Sequence, residues 1–281
     1  MMRLGYNTNG LAHHEPFRAL ELLAEIGYRS VAWTLDRGWL DPFDRNLTRQ
    51  CERLRRRFEQ LGLHSVLETG ARFLLDQEHK HEPTLVSPDP ADRNRRIQFL
   101  YRAIDIASEL GSDCLSFWSG SVHDDADHDR ALDRLRSGLE RVVRHAEHRG
   151  VTIGFEPEPG MLIDTMARFE RLAAEFPPPT FQLTLDIGHL HCLGETPIPP
   201  IIERYGARIV NIHLEDMRRG VHEHLMFGEG EIDFPPLFTA LRSVGYDGGL
   251  HVELSRHSHI APLAARQAYD FLAPLIAGRP A

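Results

Sequence analysis

Four stretches in the second half of the chain share one pattern of apolar and polar positions. Val151–Glu156, Phe181–Asp186, Ile209–His213 and Leu250–Glu253 each alternate apolar residues with small or polar ones, and each ends on Glu, Asp or His. Side chains along a strand point to alternate faces. In the first stretch Val151, Ile153 and Phe155 share one face, and Thr152, Gly154 and Glu156 the other. The second sets Phe181, Leu183 and Leu185 against Gln182, Thr184 and Asp186. The third sets Val210, Ile212 and Leu214 against Asn211, His213 and Glu215. The fourth sets Leu250, Val252 and Leu254 against His251 and Glu253. Each time one face is apolar and the other carries the polar groups.

The first half repeats the strand signal with less polar ends. Leu4–Gly10, Val31–Leu35, Ser65–Thr69 and Cys114–Ser119 read as strands. Helical spacing, or a position directly after a strand, predicts helices over Glu15–Ile26, Asn46–Leu61, Arg93–Leu110, Ala131–Arg149, Thr165–Phe176, Pro199–Tyr205, Pro235–Val244 and His259–Leu275. Strict alternation of strand and helix implies parallel strands joined by right-handed crossovers. Eight such units in 281 residues predict a (β/α)8 TIM barrel filling residues 1–281 as one domain. Apolar strand faces then pack outward on the helices, and polar faces point inward. The stretch Ala71–Asp92, with Pro83, Pro88 and Pro90, reads as a long loop, and loops of that length are functional or disordered.

Composition narrows the function. A net charge of −9 argues against wrapping nucleic acid, which needs clustered positive charge. It suits a small-molecule substrate. Three scattered cysteines without a CxxC suggest neither a disulfide framework nor a zinc ribbon, so a cytoplasmic location is the expectation. The N-terminus lacks the apolar run of a signal peptide, and no stretch approaches the ~20 apolar residues of a membrane span. There is no GxGxxG after the first strand and no P-loop, which lowers the dinucleotide and nucleoside-triphosphate readings.

Glu156, Asp186, His213 and Glu253 all stand at the C-terminal ends of strands, the face where barrel active sites sit. An inward carboxylate is costly unless it is paired or bound to a metal. Three carboxylates and a histidine converging on one rim repel each other and take up protons, and a divalent cation removes that conflict.

In this order the motifs resemble the xylose isomerase-like TIM barrel superfamily, which holds sugar isomerases, ketose 3-epimerases, inosose dehydratases and endonuclease IV. The residues that carry the resemblance are Glu156 in Phe-Glu-Pro, Leu185-Asp186-Ile187-Gly188-His189, Ile212-His213 followed by Glu215-Asp216, His224 with Gly228-Glu229-Gly230 and Asp233, and Glu253. The resemblance implies that Glu156, Asp186, His213 and Glu253 bind one Mn, Mg, Co or Zn ion, a choice the donor types leave open. It implies an isomerase or epimerase of a sugar, sugar phosphate or cyclitol, working by proton abstraction next to a carbonyl and a metal-stabilised enediolate. Glu156 and Glu253 are then the catalytic pair, although metal binding weakens a carboxylate as a base. A lyase on the same site, eliminating water or the aglycone of a 3-keto sugar, is the alternative, with His189 or His224 as acid. The nuclease branch uses three metals and further histidines; here strands three and four end on Glu68 and on Trp118 or Ser119, and the Asp-x-His of that branch is replaced by His222-Glu223-His224.

Further substrate-binding candidates follow. His189 is a substrate partner or a loop histidine. Arg219 stands where ketose epimerases carry a substrate arginine, or forms a solvated pair with Arg218. His224 approaches from the same loop, whereas His222 and Glu223 read as solvated. Glu158 reaches substrate or caps the next helix. Glu68 reaches the rim from strand three. Trp118 is a wall for a sugar ring or a core residue. Arg72, Lys80 and His81 bind an anionic group from a lid-like loop or are ordinary surface charges. The resemblance also implies a homodimer or homotetramer.

Overall fold

The structure is a computed structural model and describes residues 2–278. Its elements in chain order are β1 (Arg3–Asn7), α1 (Pro16–Ile26), β2 (Ser30–Thr34), α2 (Leu47–Leu61), β3 (His64–Glu68), α3 (Pro90–Leu110), β4 (Leu115–Phe117) and α4 (His128–Arg149). They continue with β5 (Ile153–Phe155), α5 (Met166–Ala173), β6 (Phe181–Asp186), α6 (Ile187–Leu193), α7 (Pro199–Tyr205), β7 (Ile209–Leu214), β8 (Asp216–Arg218), β9 (Val221–Leu225), α8 (Phe234–Ser243), β10 (Gly249–Val252) and α9 (Ala261–Ile276). Eight strands close into a barrel in the order β1, β10, β7, β6, β5, β4, β3, β2, and β8 pairs with β9 in a separate antiparallel hairpin. The expected (β/α)8 barrel is therefore what the chain forms.

Contacts gather in two compact parts. One comprises the chain up to Trp33, Arg56–Val66 and the chain from Leu183 onward; the other comprises Thr34–Arg55 and Leu67–Gln182. In the first, Tyr6 and Leu20 lie fully buried with Tyr28, Leu250 and Leu272. Tyr28 meets Tyr6 and Tyr269 edge-on at 5.6 and 5.3 Å between ring centres. In the second, Phe155 lies 5.7 Å from Phe117 and 5.3 Å from Phe181, with Phe169 stacked on both Phe155 and Phe181. Phe117, Phe155 and Phe181 belong to the outward apolar faces of β4, β5 and β6, and Phe169 comes from α5, so the alternation read from the sequence places the strand rings against a helix.

Local differences from the expected elements have local causes. Helices α3 and α4 start three residues before the expected Arg93 and Ala131, because Asp89 and Asp127 accept hydrogen bonds from Ala91 N and Arg130 N as N-caps. Strand five, expected over 151–156, is regular only over Ile153–Phe155. The expectation missed α6, which begins immediately where β6 ends. It also missed the hairpin β8–β9, whose tight turn passes through Gly220 at φ +74°. The long stretch before α3 is not an open loop throughout: Thr84, Leu85, Val86 and Ser87 are buried, and the Thr84 amide donates to Ser87 Oγ at 2.8 Å.

Among the described residues no helix is long and apolar enough to cross a membrane. The three cysteines are buried and form no disulfide among the described residues. Burial, reinforced by Glu109, pushes the Cys51 thiol up to about 12. Since the thiolate is the reactive form, Cys51 is expected to resist alkylation at pH 8 in the folded chain and to react once the chain is denatured. Peptide mass spectrometry reads both states, and fast native labelling of Cys51 would refute this packing.

Candidate metal and sugar site

The site is built from strand ends. Register pairs Asp186 on β6 with His213 on β7, and His213 with His251 on β10. The Glu253 amide continues the ladder by donating to Leu214 O at 2.9 Å. Asp186, His213 and Glu253 therefore arrive side by side by strand pairing alone. His213 Nδ1 donates to Glu253 Oε2 at 3.0 Å and lies 3.8 Å from Asp186 Oδ2. Asn9, just past β1, donates from Nδ2 to Glu253 Oε1 at 2.7 Å. Glu156, Asp186, His213 and Glu253 each offer a ligand atom, and these atoms lie within 4.8 Å of one another.

Asp186 has two tasks. Its Oδ1 accepts from His189 N at 2.7 Å and so caps α6. Its buried Oδ2 has no hydrogen-bond partner, yet lies 3.5 Å from His189 Nε2. A buried carboxylate oxygen is expensive unless an acid proton or a cation meets it. The donor set of three carboxylates and one imidazole fits a divalent ion.

Behind Asp186 sits Glu215, fully buried. Burial first, then the charge and hydrogen bond of Asp186 and the charge of Glu253, push its carboxyl well up, with His213 opposing. As a carboxylate, Glu215 would have no donor for either oxygen; as a neutral acid it donates to Asp186, and that is the form the surroundings favour. Gly188 makes the room. A Cβ there would lie 1.9 Å from Glu215 Oε1 and 2.7 Å from Met217 Cε. Glu253 is opposite in character. Burial would raise its carboxyl, but His213, then His224 and Asn9, outweigh that and hold it well below the ordinary range.

A second group of donors stands beside the first. His189 Nε2 and His222 Nε2 are 3.1 Å apart, and His224 joins them within the same 4.8 Å limit. His224 Nδ1 donates to the Glu253 carbonyl at 2.9 Å, which turns its Nε2 away from that bond. The hairpin β8–β9 carries His222 and His224 on one face, two residues apart. Asp216 anchors the hairpin's loop by accepting from Gly228 N at 2.8 Å and Ile232 N at 3.1 Å. The Gly-x-Gly motif thus shapes the loop, and a Cβ at Gly230 would meet Asp216 Oδ1 at 2.2 Å. His222, read from the sequence as solvated, is exposed on the hairpin, and its ring also lies against His189; helical or strand periodicity did not reveal that hairpin.

The other candidates divide. Glu158 forms a group with Glu156 and His189 on the same distance criterion. Glu68 is buried at the end of β3. Trp118 is buried, with Arg96 4.7 Å over its ring and His81 edge-on at 5.6 Å. His81 Nδ1 donates to Gly70 O, and Arg72 faces Asp36 at 4.0 Å. Lys80 is exposed, as is Arg219. The Arg219 guanidinium lies at the end of α6, where Nη2 would be 2.7 Å from a Cβ on Gly194, and its amide donates to Glu231 Oε2 at 3.1 Å. Asn9, His222, Asn211 and His251 are site neighbours that motif reading missed; the polar run Asn7–Asn9 after an apolar strand was the available signal for the first.

Comparison with known proteins places the chain in a family. The model of the xylose isomerase-like TIM barrel matches residues 20–275, and the chain belongs to that family. It is similar to an inosose dehydratase of Lacticaseibacillus casei, 34% identical over 167 residues covering 53% of this chain and 56% of that protein. The match thus spans little more than half of that relative. It is also similar to an L-ribulose-5-phosphate 3-epimerase UlaE of Salmonella heidelberg, 28% identical over 240 residues covering 84% and 81% of the two chains. In fold it matches the solved IolI protein, which has a bound zinc atom, with TM-score 0.80, 17% identity and full coverage of both chains.

Two outcomes are expected. Gly188→Ala forces Glu215 and Met217 to move and should cost about 1–3 kcal/mol, as overpacking does, in urea unfolding; an unchanged midpoint would contradict the close approach. Burial holds His189 down to about 4 from the ordinary 6.5, against Asp186. The unfolded chain protonates His189 from about 6.5 downward and the folded metal-free chain only near 4, so this residue weakens the fold as pH falls through that window and has no effect above it. Imidazole resonances of His189 should keep their neutral positions down to about pH 5; titration near 6.5 would refute the burial.

Proposed function

We propose that the chain is a divalent-metal-dependent isomerase or epimerase acting on a sugar, sugar phosphate or cyclitol by moving a proton next to a carbonyl. The observation that carries this reading is the group of Glu156, Asp186, His213 and Glu253, each with a ligand atom within 4.8 Å of the others. Similarity to the UlaE epimerase over most of the chain supports it.

Glu156, Asp186, His213 and Glu253 would hold the ion, which when bound polarises the substrate carbonyl as a Lewis acid. The chain's own residues do the rest. Glu156 and Glu253 come from well-separated strands and are the pair to take a proton from one face of the substrate carbon and return it on the other. Glu253 is fixed by Asn9 and His213, so its carboxylate is pre-oriented and stays ionised. Glu215, neutral and dry, holds Asp186 from behind without adding charge. His189, His222 and His224 line one side as hydrogen-bond partners for hydroxyl groups, with Glu158 beside them.

The alternative is a dehydratase or other lyase on the same residues, supported by the similarity to inosose dehydratase. Elimination needs an acid at the leaving oxygen. Burial keeps both His189 and His222 below their ordinary values, which favours neutral imidazoles at pH 7 and so favours proton shuttling without loss of water.

The experiment is an assay of the metal-loaded chain against ketoses, their 5-phosphates and inososes in deuterium oxide. Epimerisation or isomerisation incorporates solvent deuterium with no net loss of water; elimination lowers the product mass by one water. Chelation should abolish turnover and Mn or Co should restore it. Glu156→Gln and Glu253→Gln should each lower kcat by about 10²–10⁴-fold. Full activity in either variant, or turnover that survives chelation, would refute the assignment.

A further inference from the structure

A row of polar side chains crosses the barrel interior and ends on the back of His213. Ser30 on β2 pairs in register with Gly5 on β1, Gly5 with His251 on β10, and His251 with His213 on β7. Ser30, His251 and Asn211 are 0% exposed and His213 is 1% exposed. Ser30 Oγ meets His251 Nε2 at 2.8 Å, His251 Nδ1 meets Asn211 Oδ1 at 2.7 Å, and Asn211 Nδ2 meets His213 Nε2 at 3.1 Å. His213 Nδ1 completes the line to Glu253 Oε2 at 3.0 Å.

The fold makes space for this row. The His251 ring reaches over two glycines: a Cβ on Gly5 would lie 2.3 Å from its Cδ2, and a Cβ on Gly249 would lie 2.3 Å from its Cε1. Without them the ring reaches neither Ser30 nor Asn211. Aliphatic side chains would fill the same volume with no hydrogen bonds to satisfy, so packing alone does not call for this arrangement.

The row has a direction. As it stands, Asn211 Nδ2–H donates to His213 Nε2, which puts the single His213 proton on Nδ1, toward Glu253. His251 carries its proton on Nδ1 and donates to Asn211 Oδ1, and Ser30 donates to His251 Nε2. A histidine that gives its Nδ1 lone pair to a metal ion must carry its proton on Nε2, and that N–H needs an acceptor. Asn211 presents its amide nitrogen there, the wrong end.

We propose that Asn211, His251 and Ser30 are positioning residues that reverse their hydrogen bonds together when an ion occupies His213 Nδ1, so that Asn211 Oδ1 accepts from His213 Nε2–H. This rests on the reading of His213 as a metal ligand. After a half-turn of the Asn211 amide, its Nδ2 donates to His251 Nδ1. His251 then donates from Nε2 to Ser30 Oγ, and Ser30 donates to His64 O, 3.4 Å away. The turned Asn211 Oδ1 also faces Thr184 Oγ1, 3.5 Å from the amide nitrogen it replaces. Every group keeps a partner in both directions. Each imidazole keeps one proton, so no charge changes. Asn211 and Ser30 suit the task because each both donates and accepts.

The test uses untagged full-length chain labelled with 15N-histidine, stripped of metal and then titrated with Zn²⁺. Long-range 1H–15N correlations distinguish the two imidazole tautomers. The expected result is that His251 changes from the Nδ1–H to the Nε2–H form as zinc binds. Asn211→Asp offers two acceptors and no donor, so it should bind zinc as tightly as the parent while His251 stays Nδ1–H throughout. Asn211→Leu should bind zinc about 10–100-fold more weakly, the usual cost of losing such a support. If zinc binds and His213→Ala loses it, yet His251 keeps one tautomer, the reversal is wrong and the proposed function stands. If zinc does not bind, or binds equally well to His213→Ala, both fall.

Discussion

The structure depends on placing several carboxylates in one dry space. Asp186, Glu215 and Glu253 lie close together in the barrel mouth, and all three cannot be ionised there without a counter-charge. The chain separates their roles. Glu253 is kept charged by His213 and Asn9, Glu215 is kept neutral behind Gly188, and Asp186 turns one oxygen to the amide of His189. In the reading proposed above, a divalent ion would supply the remaining counter-charge. Strand register does the positioning: Asp186, His213 and His251 fall on one level of β6, β7 and β10.

Support for this site comes from elements that do no chemistry. Helix α6 starts on Asp186 and so brings His189 to the same carboxylate that caps it. The hairpin β8–β9, tied down by Asp216, carries His222 and His224. Below, the polar row through Asn211 and His251 meets the far nitrogen of His213. Asp186, Glu253 and His213 are thus met by a helix start, a hairpin and a hydrogen-bonded row respectively.

Much of this was legible in the sequence, for a physical reason. Strand alternation has a period of two, so apolar positions outside force polar ones inside, and strand ends in parallel β/α units share one rim. Asp186, His213 and Glu253 could therefore be assigned to one rim from pattern alone. What the pattern could not reveal depends on pairing across strands. The approach of exposed His222 to His189 was hidden because its hairpin is a tertiary feature with a five-residue second strand. The state of Glu215 depends on a neighbour on another strand. Asn211 and His251 sat on the expected polar faces, but only the register through Gly5 and Gly249 turns them into a connected row. Arg219 matched a motif position, and its side chain lies at the end of α6.

The central claim is that four strand ends share one ion. Anomalous diffraction from crystals grown with Mn²⁺ tests it most directly. The account predicts one strong peak within roughly 2.0–2.3 Å of oxygens from Glu156, Asp186 and Glu253 and of His213 Nδ1, the range of ordinary metal–ligand bonds. Glu156 and Glu253 lying more than about 8 Å apart with no peak between them, well beyond twice such a bond, would contradict it.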